Sequence, residues 1–414
     1  TGSVLRNVLY FSLPYLLSYF LQTLYGMADL FIIGQFEGAA STTAVSVGSQ
    51  VMHMLTVMIV GLAMGATVNI GRAIGAGALV QPLVSIMSTP EEAVAGTTAY
   101  LTICFIGIPC ITAYNIISSI FRGLGDSKSP MYFIAVACVA NIGLDYLFIG
   151  MLGMGPAGAA LGTTLSQAFS VVVSLAVIAR GNTGIRLHRA DLKPKRSVLR
   201  RILKIGLPVA FQDGFIQISF IFITVIANRR GLNDAAAVGI VEKIISFLFL
   251  VPSSMLSTVS ALGSQSIGAG KHDRAAQTLR YAILIAAGFG LCISIVMQWI
   301  AEPVVGLFTT DAVVILAGGQ YIRGYIWDCL FAGIHFSFNG FFCAYGRSEI
   351  SFLHNIITIV LLRVPGAYLM SVWFPQTLFP MGLATVAGSI LSAAICVTAY
   401  LWLKRKGCFD RVPA

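Results

Sequence analysis

Long runs of apolar residues, separated by short polar stretches, recur along the whole chain. Each run has about 20 residues, the length that a helix needs to cross a hydrocarbon core of about 30 Å. The strands of a membrane β-barrel would instead show short segments of alternating polarity. The pattern therefore predicts an all-α polytopic membrane protein, and we interpret the first apolar run as a membrane span rather than a cleaved signal.

The chain consists of two related halves. SLPYLLSYFLQ, which begins at Ser12, matches GLPVAFQDGFIQ, and RAIGAG, which ends at Gly77, matches QSIGAG, which ends at Gly270. Two homologous six-helix bundles related by an axis along the membrane normal would enclose a central cleft and permit alternating access. The predicted organisation is an N-terminal bundle, a basic cytoplasmic linker and a C-terminal bundle, at 1–180, 181–203 and 204–414.

The first half is shorter than the second by one helix. Pro82 follows Gly77 by five residues, whereas the matching Pro303 follows Gly270 by 33. We therefore expect the native protein to have a third membrane span that the given sequence does not contain. Only a total of twelve spans keeps the basic loops on one side of the membrane. The predicted spans are 8–33, 40–66, the missing one, 97–121, 129–152 and 156–179, then 204–228, 235–262, 276–300, 317–343, 350–372 and 381–403.

Composition and charge agree with a membrane protein. Hydrophobic residues make up 57% of the chain and charged residues only 10%, against about 25% in soluble domains. The net charge of +10 does not indicate nucleic-acid binding, since nine of the 26 Lys and Arg residues lie between Arg180 and Lys204, beside membrane spans. This cluster marks a cytoplasmic loop and predicts an inner-membrane protein with both termini in the cytoplasm. Arg229 and Arg230 are the exception, because they fall on the acidic, outer side.

A few polar residues interrupt the apolar spans of the first half. Asp29 lies in the first span, Asn141 and Asp145 are one helical turn apart on the fifth, and Thr163 lies on the sixth. A charge at the bilayer centre costs at least about 2.5 kcal/mol on insertion scales, so each one needs a partner, a proton or water. Two carboxylates with an amide and a hydroxyl could hold either a proton or Na⁺ through their oxygens, and we expect no other metal and no cofactor.

Several motifs resemble those of the multidrug and toxic compound extrusion (MATE) transporters, nearest the DinF-like branch. They are YGMADLFIIGQ at the end of the first span, RAIGAG, FRGLGDSKSPM, NIGLDYLFI and MGPAGAALGTTLSQ, and the resemblance runs from about residue 8 to 405. It implies a V-shaped fold of twelve helices in two bundles, and export of cationic or amphipathic compounds in exchange for H⁺ or Na⁺. By motif match, the coupling cation would bind at Asp29, Asn141, Asp145 and Thr163.

Other polar residues are candidates for the drug path. The resemblance places Gln22 and Asn115 near it, and Tyr25 would suit a flat organic cation by ring stacking. In the second half Gln217, Asp328 and His335 could face the same cleft, or Asp328 could simply pair with Arg323. Asp213 and Asp328 do not clearly match the acids of the NorM-like branch, so a second cation site stays open.

These patterns predict a cation-coupled multidrug exporter, monomeric and surrounded by lipid, rather than an enzyme. One alternative is a lipid-linked oligosaccharide flippase of the same superfamily, which would need more intramembrane Arg and Lys than Lys243, Arg323 and Arg363. An intramembrane enzyme is the other alternative. HExxH and GxSxG motifs are absent from the sequence, and so is a phosphate-binding P-loop, which argues against ATP as the energy source.

Overall fold

The computed structural model describes residues 2–37, 91–180, 196–309 and 311–409, with positions 41, 44, 45, 48, 49 and 52. Regular structure in these residues is helical throughout. The helices are α1 (Val4–Phe36), α2 (Glu91–Gly123), α3 (Lys128–Asp145), α4 (Gly155–Ala179), α5 (Arg196–Arg230), α6 (Leu232–Leu248), α7 (Leu250–Gly268), α8 (His272–Val305), α9 (Ala312–Tyr325), α10 (Asp328–Ala344), α11 (Ser348–Thr358), α12 (Val364–Trp373) and α13 (Phe379–Arg405).

Nine stretches of the described residues are long and apolar enough to cross a membrane. They correspond to nine of the predicted spans, namely the first, the fourth to the ninth, the eleventh and the twelfth. Most of the second span, the missing third span and most of the basic linker lie outside the described residues, so these predictions stay untested.

Two compact units divide the described chain. One consists of Thr1–Leu16 with Phe211–Ala414, and the other of Leu17–Ala210. The start of α1 belongs to the first unit, because Val4 and Val8 pack into a core with residues of α7, α8 and α10. Ser254 Oγ fixes this contact by donating a hydrogen bond to the carbonyl of Ser12 at 2.9 Å.

The tenth predicted span is not continuous. It is broken between α9 and α10 at Ile326 and Trp327. Backbone groups at a break in hydrocarbon need partners. The carbonyl of Ile326 accepts from the backbone N–H of Cys329 and also from Ser294 Oγ of α8, both at 3.0 Å, and Gln298 Nε2 of α8 donates to the carbonyl of Arg323 at 3.3 Å. As a consequence Asp328 stands at the first turn of α10, where the helix dipole favours an acid.

Two spans contain π-helical turns. Tyr146–Met151 continues α3 directly after Asp145, and Ile359–Arg363 joins α11 to α12. Such turns are rare and occur frequently at functional sites, because they shift side chains out of the regular helical register. One of them borders the carboxylate that the sequence singles out, and the other ends at the half-buried Arg363.

Arg230 accounts for part of the exception to the loop-charge pattern. Its guanidinium is largely buried and forms an ion pair with Asp234, Nε to Oδ2, at 2.7 Å. Its two terminal nitrogens donate to the carbonyls of Ser371, Phe374, Pro375 and Thr377, at 2.8 to 3.3 Å. This arginine therefore holds the turn between α12 and α13, a structural role independent of the positive-inside rule.

Candidate functional site

Three helices of the Leu17–Ala210 unit bring the predicted cation-site residues together. Asp29 comes from α1, Asn141 and Asp145 from one face of α3, and Thr163 from α4. All four are buried: Asp29 is 3% exposed and Thr163 8%, while Asn141 and Asp145 are fully enclosed. The cluster therefore has almost no contact with solvent.

The Asp29 carboxylate lies at the centre of the cluster. Thr163 Oγ1 donates a hydrogen bond to Asp29 Oδ2 at 3.0 Å. Asp145 and Asn141 also approach the Asp29 carboxylate, but neither forms a hydrogen bond of good geometry with it. Two acids from different helices thus stand side by side, with a hydroxyl and an amide around them.

Much of the hydrogen-bonding capacity of this cluster is unused among the described residues. Asp29 Oδ1, both carboxylate oxygens of Asp145, and the oxygen and nitrogen of the Asn141 amide have no partner there. Adjacent like charges cannot both persist in a low dielectric unless a cation or a proton lies between them. The available atoms are mainly oxygens, which suit a proton or a hard monovalent cation.

Close helix packing positions Asp145. A methyl carbon placed on Gly162 would overlap Asp145 Oδ1 and lie 3.6 Å from Asn141 Nδ2. Likewise, a methyl carbon on Gly107 would lie 2.8 Å from the Thr164 hydroxyl oxygen. Glycine at position 162 therefore makes the space that the carboxylate occupies against α4, a role that we did not predict from the sequence.

Gln167 is another residue that the sequence analysis missed. It is 5% exposed and lies one helical turn after Thr163 on α4. The Tyr25 side chain lies beside Gln167 and within electrostatic reach of Asp29. The i and i+4 spacing of Thr163 and Gln167 was the signal that could have found it.

The remaining candidates for the drug path belong to both units. Gln22 is half-buried on α1, and Asn115 on α2 donates its amide to the carbonyl of Ile111 in its own helix at 2.8 Å. Gln217, Asp328 and His335 belong to the other unit. There Asp328 and His335 line one cavity, whereas Gln217 is not among its lining residues.

The suggested pairing of Asp328 with Arg323 is wrong. Arg323 Nη1 forms an ion pair with Glu302 Oε1 at 2.9 Å, and its Nε donates to the carbonyl of Gln298. The break at Ile326 and Trp327 lies between the two residues, because Arg323 is in the last turn of α9 and Asp328 in the first turn of α10.

Comparison with known proteins identifies the family. The MatE family model matches residues 14–80, 78–147 and 208–369, which is well over half of the chain. Its first two segments meet at 78–80, next to the position where the sequence predicts a missing span. The chain is 29% identical to the probable multidrug resistance protein YpnP of Bacillus subtilis, with 92% of each chain covered. It is 24% identical to the multidrug export protein MepA of Staphylococcus aureus, covering 96% and 92%.

Solved structures share the fold. A MOP superfamily transporter from Pyrococcus furiosus, described as having a binding pocket of reverse polarity, superposes with a TM-score of 0.87 at 22% identity, covering 98% and 96%. An outward-facing multidrug resistance MATE transporter gives 0.85 at 23%, with the same coverage. The solved MATE transporters have twelve membrane helices in two bundles, so the predicted all-α polytopic fold class is confirmed. The chain belongs to the MATE family of multi-pass membrane transporters.

Proposed function

We propose that this protein is a secondary active exporter of cationic or amphipathic compounds, driven by exchange with H⁺ or Na⁺. The observation that carries the proposal is the buried pair Asp29 and Asp145, on different helices, with three unpartnered carboxylate oxygens among the described residues. A cation or proton that enters this pair removes the repulsion between two like charges. It therefore favours the helix packing that holds the acids together over one that separates them.

This difference in affinity is what antiport requires. An ion can drive a conformational change only as far as it binds one state better than the other. A site built from α1, α3 and α4 responds to the relative position of three helices, so ion binding and helix movement are coupled. The compound would leave on the outer side as the ion enters, with the protein monomeric in the inner membrane and both termini in the cytoplasm.

The names of the relatives support export but do not agree on the transported compound. Those named above are described as multidrug resistance or export proteins, and a further relative from Shewanella oneidensis, 25% identical, is an FAD transporter. A lipid-linked oligosaccharide flippase is less well supported, since Arg323, one of three intramembrane bases available to a pyrophosphate, is already paired with Glu302. Homologues are named as transporters, and an enzymatic role has no supporting motif.

Proteoliposomes with separately imposed gradients test the proposal. We expect transport of the cationic dye ethidium to be driven by a H⁺ or a Na⁺ gradient, in the direction opposite to the ion, and to stop when an ionophore collapses that gradient. Vesicles without protein give the background. Dye movement that is unaffected by either gradient would overturn the proposal, and ATP-dependent movement would also contradict it.

A further inference from the structure

A small cavity with several polar lining residues lies in the Thr1–Leu16 and Phe211–Ala414 unit, apart from the cation-site cluster. Its volume is about 90 Å³. We call it the C-terminal cavity and define it by its aromatic and polar lining residues, which include Phe220, Asp328, His335, Asn355, Arg363 and Ser389. Nothing in the proposed coupling mechanism uses this space.

Arg363 supplies the positive charge of the C-terminal cavity. Its Nη2 donates to Tyr325 Oη at 3.0 Å, and its guanidinium carbon lies 4.7 Å from the centre of the Phe220 ring. Its Nε has no partner, and no carboxylate in the described residues lies within 4.0 Å of it. The guanidinium is thus held in place by an aromatic face and a hydroxyl, with donors left for an acceptor in the cavity.

Asp328 supplies the negative charge. It is 1% exposed, stands at the N-terminus of α10, and its Oδ1 has no partner among the described residues. Asp328 and Arg363 lie within electrostatic reach of each other but do not form an ion pair. Two opposite charges therefore line one cavity and leave hydrogen-bonding atoms unused.

The wall behind these charges is fixed by a histidine network. His354 contacts Asn339 Oδ1 through Nε2 at 2.6 Å and Ser392 Oγ through Nδ1 at 2.9 Å. Both ring nitrogens of His354 are therefore occupied. His335 packs edge-on against His354, at 5.8 Å between ring centres, and keeps its Nδ1 without a partner. His335 lies beside this network and offers the cavity a further hydrogen-bonding group.

The opposite charges of the cavity wall favour a ligand that carries both a positive and a negative group. Among the residues that line the cavity, Asp328 and Arg363 carry opposite charges, so each of them favours a ligand group of the opposite sign in a low dielectric. Glu242 lies near Arg363 but does not line the C-terminal cavity. A ligand with both a carboxylate and an ammonium group can pair with Arg363 and Asp328 at the same time, and it adds no net charge.

We propose that the C-terminal cavity binds a small zwitterion of the α-amino-acid type, with its carboxylate on Arg363 and its ammonium group on Asp328. The C-terminal cavity of about 90 Å³ is smaller than an engineered cavity of about 150 Å³ that accepts benzene, so the ligand must be one of the smallest of this type, such as alanine. The proposal concerns binding in one unit and does not depend on cation coupling.

Equilibrium binding of radiolabelled L-alanine to the full chain purified in detergent tests the proposal. We expect saturable binding that excess unlabelled L-alanine displaces. Propionate, which lacks the ammonium group, and ethylamine, which lacks the carboxylate, should each compete at least about tenfold less well, since each loses a set of charge-assisted hydrogen bonds. No ion gradient is present, so a negative result here leaves the proposed exporter function intact.

Two arginine variants provide the matched comparison. Arg363→Gln should remove saturable binding, whereas Arg323→Gln, which affects an arginine outside the cavity, should leave it unchanged. If Arg363→Gln does not purify as a folded protein, Asp328→Asn serves as the second cavity variant and should also lose binding. The proposal is overturned if wild type shows no saturable L-alanine binding, if propionate or ethylamine competes as well as L-alanine, or if the cavity variants bind like wild type.

Discussion

Replacing Asp145 by asparagine is expected to abolish gradient-driven efflux and leave the protein folded. Asparagine has almost the same shape, so the packing of α3 against α1 and α4 is retained. What is lost is the second of two adjacent acids, and with it the repulsion that a bound ion relieves. With asparagine at position 145, the site should bind the coupling ion equally well in both helix arrangements. The ion gradient then cannot shift the equilibrium between these arrangements.

The measurement is ethidium efflux from proteoliposomes, with melting temperature as the test of folding. We expect efflux below about a tenth of wild type, because ion binding no longer favours one helix arrangement over another. Asp311→Asn is the control, because Asp311 caps α9 at an exposed position and asparagine caps a helix equally well. Wild-type efflux by folded Asp145→Asn protein would contradict the assignment.

Gly162→Ala is expected to have a comparable effect without altering any polar group. The added methyl carbon would overlap Asp145 Oδ1, so either the carboxylate turns away from Asp29 or α3 moves from α4. Alanine is favoured over glycine in a helix interior by about 1 kcal/mol, which offsets part of an overpacking cost of about 1 to 3 kcal/mol. Hence the protein should remain folded while gradient-driven efflux falls at least about tenfold.

Gly143→Ala is the matched control for this substitution. Gly143 lies on α3, two residues before Asp145, and a methyl carbon there would have nothing within 4 Å. We expect its efflux to equal that of wild type and its melting temperature to be the same or slightly higher. Equal efflux by all three proteins would show that the close approach of Asp145 to α4 has no part in coupling.

The sequence predicted most of the membrane helices because hydrocarbon allows so few backbone structures. Length and hydropathy alone located α1, α2, α4 and α8, each as one uninterrupted span. They did not predict the break before Asp328. Ser294 and Gln298 of another helix donate hydrogen bonds to backbone carbonyls at this break, and local periodicity cannot predict partners of that kind.

Only the part of the site that depends on spacing within one helix could be predicted from the sequence. Asn141 and Asp145 fall on one face of a helix by spacing alone. The contact between Thr163 and Asp29 joins positions 134 residues apart. The cost of polar groups in hydrocarbon suggested that they belong to one site, and the resemblance to a family agreed with this, but the spacing of the residues did not predict the contact itself. Gly162 could not be predicted, because its importance arises from a carboxylate of another helix that approaches its α-carbon.

Ion release on substrate binding is the most direct test of the central claim, that the Asp29 and Asp145 pair holds the coupling ion. A compound that wild type exports is added to protein in weakly buffered detergent solution, while pH and free Na⁺ are recorded. Because coupling between two ligands is reciprocal, we predict saturable release of H⁺ or Na⁺ from wild type and none from the variant carrying Asp29→Asn and Asp145→Asn. Binding of the compound by wild type without ion release, or equal release from the variant, would contradict the account.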